Sequence, residues 1–281
     1  MKSILIKCPA KVNLTLEIVN RREDGFHNIK SIMQLISLYD YLDIKIEESN
    51  DTKIILSGSS DEIPYDETNL VYKAAKLFFE RTSLKSRVMI YIEKNIPIAA
   101  GLAGGSADAA GALYGLNKIF DEPLSREEIH DLCAKLGSDL NVCLEGGCLL
   151  ATSRGEKVEK LPSINSKISL IKPKNLGISA KEAYTKYAQK ILKPRNNNTE
   201  KMIDALNKGK DIKEFLYNDL EYAVFDDYKE LQEIKKTFPN SVMSGSGSTY
   251  FVLDEIDKTK MSDEFIIING LQFINTGVEV V

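Results

Sequence analysis

Residues 98–110 read Ile98-Ala99-Ala100-Gly101-Leu102-Ala103-Gly104-Gly105-Ser106-Ala107-Asp108-Ala109-Ala110: apolar, then glycine-rich, then alanine-rich. Gly101, Gly104 and Gly105 let the backbone take positive φ and come close to a ligand. Residues 106–120 follow as a predicted helix, with Leu113, Leu116 and Ile119 forming an apolar stripe. A glycine loop that enters a helix N-terminus aims several free N–H groups, and the positive end of the dipole, at one spot, which suits a phosphate. A tight strand-to-helix turn between close-packed backbones would use the same residues. The length of the loop and the Ser106 hydroxyl favour the phosphate. No Lys follows Gly104 or Gly105, so this is not a Walker A loop, and the G-x-G-x-x-G spacing of a Rossmann fold is also missing. A nucleotide held here needs a different scaffold.

Around the loop, the composition is that of a globular protein. The 281 residues are enough for one large or two ordinary domains, with 43% hydrophobic and 28% charged residues. A net charge of −4 argues against nucleic acid as the main partner. Residues 1–7 hold too short an apolar run for a signal peptide, and no stretch approaches the ~20 apolar residues of a membrane helix. The expectation is a cytoplasmic protein with no membrane or nucleic-acid partner; nothing in the sequence fixes its oligomeric state. Cys8, Cys133, Cys143 and Cys148 form no C-x-x-C pair, which argues for free thiols rather than structural zinc.

Residues 4–6 read as a short strand, interrupted at Cys8-Pro9-Ala10-Lys11. Residues 12–19 then alternate, with Val12, Leu14, Leu16 and Ile18 facing the core and Lys11, Asn13 and Thr15 on the opposite, solvated face. Asp24-Gly25 marks a hairpin turn, after which Phe26 and His27 stand side by side. Such a pair could stack on and hydrogen-bond a base; equally, Phe26 could enter the core and leave His27 on the surface. Strands are predicted over 29–38, 41–47, 53–57 and 87–93, the last feeding into the glycine loop. Helices are predicted over 69–79 and after the capping box Ser125–Glu128, the latter closed by Gly137, with Asp139 in the turn beyond. The pattern resets near residues 161–166, placing a domain boundary at 162/163. Beyond it come a strand at 167–172, a helix at 180–192, a loop at 194–198, helices at 199–207, 212–215 and 228–238, and strands at 249–253, 265–268 and 272–281. Strands and helices mixed without regular alternation suggest an α+β fold.

Three segments occur together: Pro9-Ala10-Lys11-Val12-Asn13-Leu14, the loop from Pro97 to Ala110, and Ser244-Gly245-Ser246-Gly247-Ser248. In this order, spanning almost the whole chain, they resemble the three motifs of the GHMP kinases, the galactose, homoserine, mevalonate and phosphomevalonate kinase superfamily. The middle motif there is P-x-x-x-G-L-G/A-G-G-S-S/A, and Pro97 to Ala107 fits it. Arg22-Glu23-Asp24-Gly25-Phe26-His27 and Leu136-Gly137-Ser138-Asp139 are similar to turns of the branch that acts on a cytidine diphosphate-linked methylerythritol in non-mevalonate isoprenoid biosynthesis. After the acid that branch usually continues V-P-F, where this chain has Leu140-Asn141-Val142.

The resemblance implies two domains: residues 1–162, like domain 2 of ribosomal protein S5, and residues 163–281, ferredoxin-like, with the site in the cleft between. It implies ATP, Mg²⁺ and phosphorylation of the substrate's 2-hydroxyl. By position, Lys11 and Asp139 are the expected catalytic pair. Pro97, Ile98, Ala99, Ala100, Gly101, Leu102, Ala103, Gly104, Gly105, Ser106 and Ala107 are expected to hold the ATP phosphates, and Asn69, Leu70 and Lys94 the adenine. Asn13, Phe26, His27 and Tyr184 are expected to meet the small-molecule cytidine diphosphate-linked substrate. The alternatives are another GHMP kinase, of homoserine or mevalonate type, or a ligand-binding homologue without catalysis.

Overall fold

The computed structural model of the protein describes residues 2–190 and 197–281. Its frame is one long antiparallel hairpin, β1 (Lys2–Arg21) and β2 (His27–Glu47). Both strands run through the points where the sequence predicts breaks. The register shifts between Pro9 and Lys11, between Asn13 and Thr15, and between Ile18 and Asn20. A bulge absorbs the proline, which lacks a ladder N–H, and bends the strand instead of ending it.

β3 (Lys53–Gly58), α1 (Leu70–Thr82) and β4 (Arg87–Glu93) follow, with β3 parallel to β4 and β4 antiparallel to the end of β2. Next come α2 (Gly104–Ile119), α3 (Arg126–Leu136), the short α4 (Leu140–Glu145), β5 (Cys148–Ser153) and β6 (Lys157–Lys160). The capping box of α3 forms as its spacing predicts. α2 lies close on the sheet through two glycines. A Cβ at Gly111 would stand 2.3 Å from Cys8 Sγ, and one at Gly115 would stand 2.6 Å from Ile44 Cδ1. The four cysteines are buried and unpaired.

The second half supplies β7 (Lys167–Pro173), α5 (Ala180–Gln189), α6 (Asn198–Asn207), β8 (Tyr217–Asn218), α7 (Asp219–Val224), α8 (Lys229–Thr237), β9 (Val242–Met243), β10 (Tyr250–Val252), β11 (Phe265–Gln272) and β12 (Glu279–Val280). The predicted helix end at 191–192 and the loop residues 194–196 lie outside the described residues. The second sheet has the order β11-β7-β10-β9; the first runs β12-β1-β2-β4-β3, with β5 and β6 beside β2 and β8 beside β1. Thus β8 and β12, from the second half of the chain, complete the first sheet.

The single strand predicted over 272–281 is not formed. The chain leaves β11 at Gln272, and Gly277 packs against α4, where a Cβ would stand 2.2 Å from Leu144 O. Val278 N–H then donates to Cys143 O at 3.0 Å, and only Glu279–Val280 pairs with β1. Mixed, largely antiparallel sheets with segregated helices give the α+β class read from the sequence.

Candidate active site

Lys11 and Asn13 sit on the polar face of β1, and that face is not solvated. Lys11 is 3% exposed, Asn13 1% and Thr15 0%, because segments from the second half of the chain cover it. Strand alternation separates the two faces but cannot say whether the polar one meets water or partners. Here it meets partners. Lys11 Nζ donates to Asn13 Oδ1 at 2.6 Å and to Gly101 O at 3.1 Å, and stands 3.4 Å from Asp139 Oδ2. Two of the three N–H groups of the ammonium are thus hydrogen-bonded, and its charge is paired with Asp139. Asn13 Nδ2 donates to Ser31 Oγ at 2.8 Å, which fixes the amide that holds Lys11.

Asp139 reaches this point from the far end of α3. Gly137 is extended rather than left-handed, and its N–H closes α3 on Cys133 O at 3.1 Å. Asp139 then stands at the N-cap of α4 with no capping hydrogen bond from its side chain, so the carboxylate is free to face Lys11. The segment that replaces V-P-F therefore forms a short helix, with Asn141 Nδ2 donating to Glu156 O at 2.9 Å.

The glycine loop takes three left-handed residues in five: Ala99, Gly101 and Ala103. Ala103 is the N-cap of α2 and offers no side-chain cap, so the first N–H groups of a 16-residue helix point outward beside Ser106. The second glycine loop lies directly on the first. Ser244 Oγ donates to Gly101 O at 3.0 Å and accepts from Asn13 N–H. There is no room for a side chain between the loops: a Cβ at Gly101 would stand 2.0 Å from Ser244 O, and one at Gly245 would stand 3.2 Å from Lys11 Nζ. The three motifs, far apart in the chain, thus meet at Lys11.

On the opposite wall, Phe26 stays out of the core at 54% exposure. His27 is half-buried, with its ring stacked on Tyr184 of α5 at 5.1 Å and 16° and set edge-on to Tyr187 at 6.5 Å. Burial and the nearby Arg21 charge push the His27 pKa down, favouring the neutral imidazole. Burial pushes the Tyr184 phenol up.

A cavity of about 890 Å³ joins these walls, and Lys11, Asn13, Phe26, His27, Gly101, Ala103, Ser106, Asp139 and Tyr184 all line it. Arg21, Arg154 and Lys181, not anticipated from the sequence, line it too. Among the described residues, four cations therefore face one carboxylate in a protein whose net charge is −4, a local field suited to a polyanionic ligand.

The other expected residues lie behind or beside the cavity. Ala100, Leu102 and Ala107 are buried under the loop, and Pro97, Ile98, Ala99, Gly104 and Gly105 build its outer course. Asn69 caps α1 by accepting from Val71 N–H at 2.8 Å, and Leu70 Cδ1 is 3.9 Å from where a Cβ on Gly105 would be. The ammonium of Lys94, a residue expected beside the adenine, is buried: its side chain is 5% exposed and ion-paired with Asp40 and, at 2.8 Å, with Asp108. Asp40 Oδ1 in turn accepts from Asn95 N–H at 2.6 Å and Ile96 N–H at 2.8 Å. Burial without solvent explains the arrangement, since a lone ammonium there would be costly. A signal for it existed: Asp108 is the one acid among the alanines of α2, and a buried acid needs a partner.

Residues 69–147 match the family model of the GHMP kinases N terminal domain. The chain is 39% identical to the 4-diphosphocytidyl-2-C-methyl-D-erythritol kinase of Clostridium acetobutylicum over 267 residues, 92% of this chain and 93% of that one. It is 42% identical to the protein of the same name from Caldicellulosiruptor bescii, over 88% and 87% of the two chains. The chain belongs to the 4-diphosphocytidyl-2-C-methyl-D-erythritol kinase family of GHMP kinases. The solved structure of a 4-(cytidine 5'-diphospho)-2C-methyl-D-erythritol kinase superposes with a TM-score of 0.71 at 30% identity, covering 90% of each chain. A homoserine kinase from Cytophaga hutchinsonii superposes with a TM-score of 0.79 over 100% and 98% of the chains, but at 19% identity it speaks for the fold alone. Lys11 and Asp139 stand 3.4 Å apart beside the glycine loop. Among the described residues no helix is long and apolar enough to cross a membrane.

Proposed function

We propose that the protein transfers the γ-phosphoryl group of ATP to the 2-hydroxyl of 4-diphosphocytidyl-2-C-methyl-D-erythritol, a step in non-mevalonate isoprenoid precursor biosynthesis. The observation that carries this reading is the Lys11–Asp139 pair at 3.4 Å, lying between the N-terminus of α2 and the Phe26, His27 and Tyr184 wall. Phosphoryl transfer asks the protein for position and charge more than for covalent chemistry. The free N–H groups of α2 and the Ser106 hydroxyl bind the triphosphate. Asp139 accepts the proton of the attacking hydroxyl as the O–P bond forms, which requires approach to about 2.6–3.2 Å. Lys11, held by Asn13 and Gly101 O, cannot swing away, and it places positive charge where the alkoxide and γ-phosphoryl charges develop. The cytosine stacks on the exposed ring of Phe26, and the neutral His27, braced by Tyr184, hydrogen-bonds its edge.

The donors present fit Mg²⁺. Magnesium keeps several waters and would be held mainly by the substrate phosphates, which leaves Asp139, the carboxylate lining the cavity among the described residues, to take the proton. Bound there, it would supply charge neutralisation for the transferring phosphoryl group.

The test is a coupled ADP-release screen with the diphosphocytidyl alcohol, homoserine, mevalonate and free sugars. Turnover with the first is expected. Turnover confined to any of the others would refute the substrate assignment, and tight ATP binding with no transfer to any alcohol would refute catalysis.

A further inference from the structure

The backbone of the turn that carries Phe26 is well fixed. Arg22 N–H donates to Phe26 O at 2.8 Å, Phe26 N–H donates to Asp24 Oδ1 at 3.1 Å, and Arg22 Nε donates to the Asp24 carboxylate at 3.0 Å. None of these bonds orients the ring, which projects with 54% of the residue exposed. What meets the ring is the guanidinium of Arg154, 5.4 Å from its centroid, on the turn after β5. Arg154 is itself held: Nη2 donates to Ala134 O at 3.4 Å, Nε stands 3.8 Å from Glu156 Oε2, and its backbone N–H donates to the same carboxylate at 2.9 Å. The two turns are tied a second time by Arg22 Nη1, which donates to Ser153 Oγ at 3.3 Å.

An aromatic ring has two faces, and a cation on one face leaves the other for stacking. Guanidinium is suited to this place because it is planar, weakly hydrated and stacks without losing its charge. The contact to Glu156 is too long to consume its donors, so several of its five N–H groups remain for an anion. Lys11, by contrast, hydrogen-bonds to Asn13 and Gly101 and pairs its charge with Asp139.

We propose that Arg154 is a positioning residue for the nucleotide half of the substrate: its guanidinium backs one face of Phe26 so that the cytosine stacks on the other, and it sets a fixed positive charge beside the diphosphate. This inference rests on the substrate reading given above. It adds a residue outside the three motifs and assigns base recognition to two turns that brace each other.

The experiment compares the unsubstituted protein with Arg154→Ala and Arg154→Lys. CDP affinity is measured by calorimetry, and KM is measured separately for the cytidine substrate and for ATP. Arg154→Ala is expected to weaken CDP binding and raise the KM of the cytidine substrate about fivefold to thirtyfold, with the KM of ATP within about twofold. Arg154→Lys, which keeps the charge but not the planar stack, is expected to recover part of the loss. Undiminished CDP binding by Arg154→Ala, or an equal rise in the KM of ATP, overturns this inference alone. Failure of the unsubstituted protein to bind CDP overturns the substrate reading and this inference with it.

Discussion

Replacing Asp108 by Asn tests the buried charge cluster beneath the phosphate loop. Asp40, Lys94 and Asp108 are two acids and one ammonium, with side chains 0%, 5% and 3% exposed. If all three ionise, the cluster holds one uncompensated negative charge away from water. Burial accordingly pushes the Asp108 carboxyl from 3.8 up to about 7; Lys94 opposes the rise and Asp40 adds to it. Asp108 Oδ1 has no hydrogen-bond partner, whereas Asp40 receives two backbone N–H groups as well as Lys94.

The sign follows from where the proton sits. Below about pH 4 the carboxyl is protonated in both the folded and unfolded chains, and its burial brings no ionisation cost. Between about pH 4 and 7 the unfolded chain releases the proton while the fold retains it, so stability falls as pH rises, and above about pH 7 the loss is complete. At ~1.4 kcal/mol per tenfold in proton affinity, the rise from 3.8 to about 7 amounts to about 3–6 kcal/mol. Asn mimics the protonated acid and removes the excess charge. Asp108→Asn is therefore expected to be about 1–2 kcal/mol more stable than the unsubstituted protein near pH 5, and to exceed it by about 3–6 kcal/mol near pH 8.5. Denaturant unfolding of both proteins across pH 5–8.5 measures this, and the difference between the two curves cancels His27 and every other group that titrates in both. Parallel curves would refute the reasoning.

Asp139→Asn and Lys11→Ala are each expected to lower kcat about 10²- to 10⁴-fold with near-native circular dichroism; near-normal turnover removes that residue from the mechanism. Gly101→Ala places a Cβ 2.0 Å from Ser244 O at a φ of +75°, so the two glycine loops must separate. The expected result is a loss of at least about 1–3 kcal/mol in thermal unfolding and a raised KM for ATP; an unchanged melting temperature would show that the loops need no such contact. Because burial and Arg21 lower the His27 pKa, its neutral form persists at neutral pH and is lost only as pH falls through that lowered value. The KM of the cytidine substrate should then rise at acid pH, and His27→Asn should flatten that part of the profile.

The local signals in the chain were strong enough to settle the class and the family. Glycine spacing in 101–105, the small residues opening α2, the Ser125–Glu128 box and the Asp24-Gly25 turn are preferences of neighbouring residues for particular φ, ψ and capping bonds, and the structure has them where the sequence puts them. The first motif pointed to Lys11, and the segments 22–27 and 136–139 pointed to Phe26-His27 and Asp139. Alternation along β1 assigned Lys11, Asn13 and Thr15 to a solvated face, yet all three are buried, because Ser244 and Thr199 arrive from elsewhere in the chain. Pro9 interrupted the predicted strand, yet β2 holds β1 together across a bulge. Asp40 and Asp108 claim the ammonium of Lys94, a pairing not read from the chain, and the Arg154 contact with Phe26 left no trace in either segment. Backbone conformation is decided mainly by adjacent residues and is legible along the chain. The fate of a charge is decided by what else is brought within a few ångströms once water is removed, and only the folded molecule holds that information.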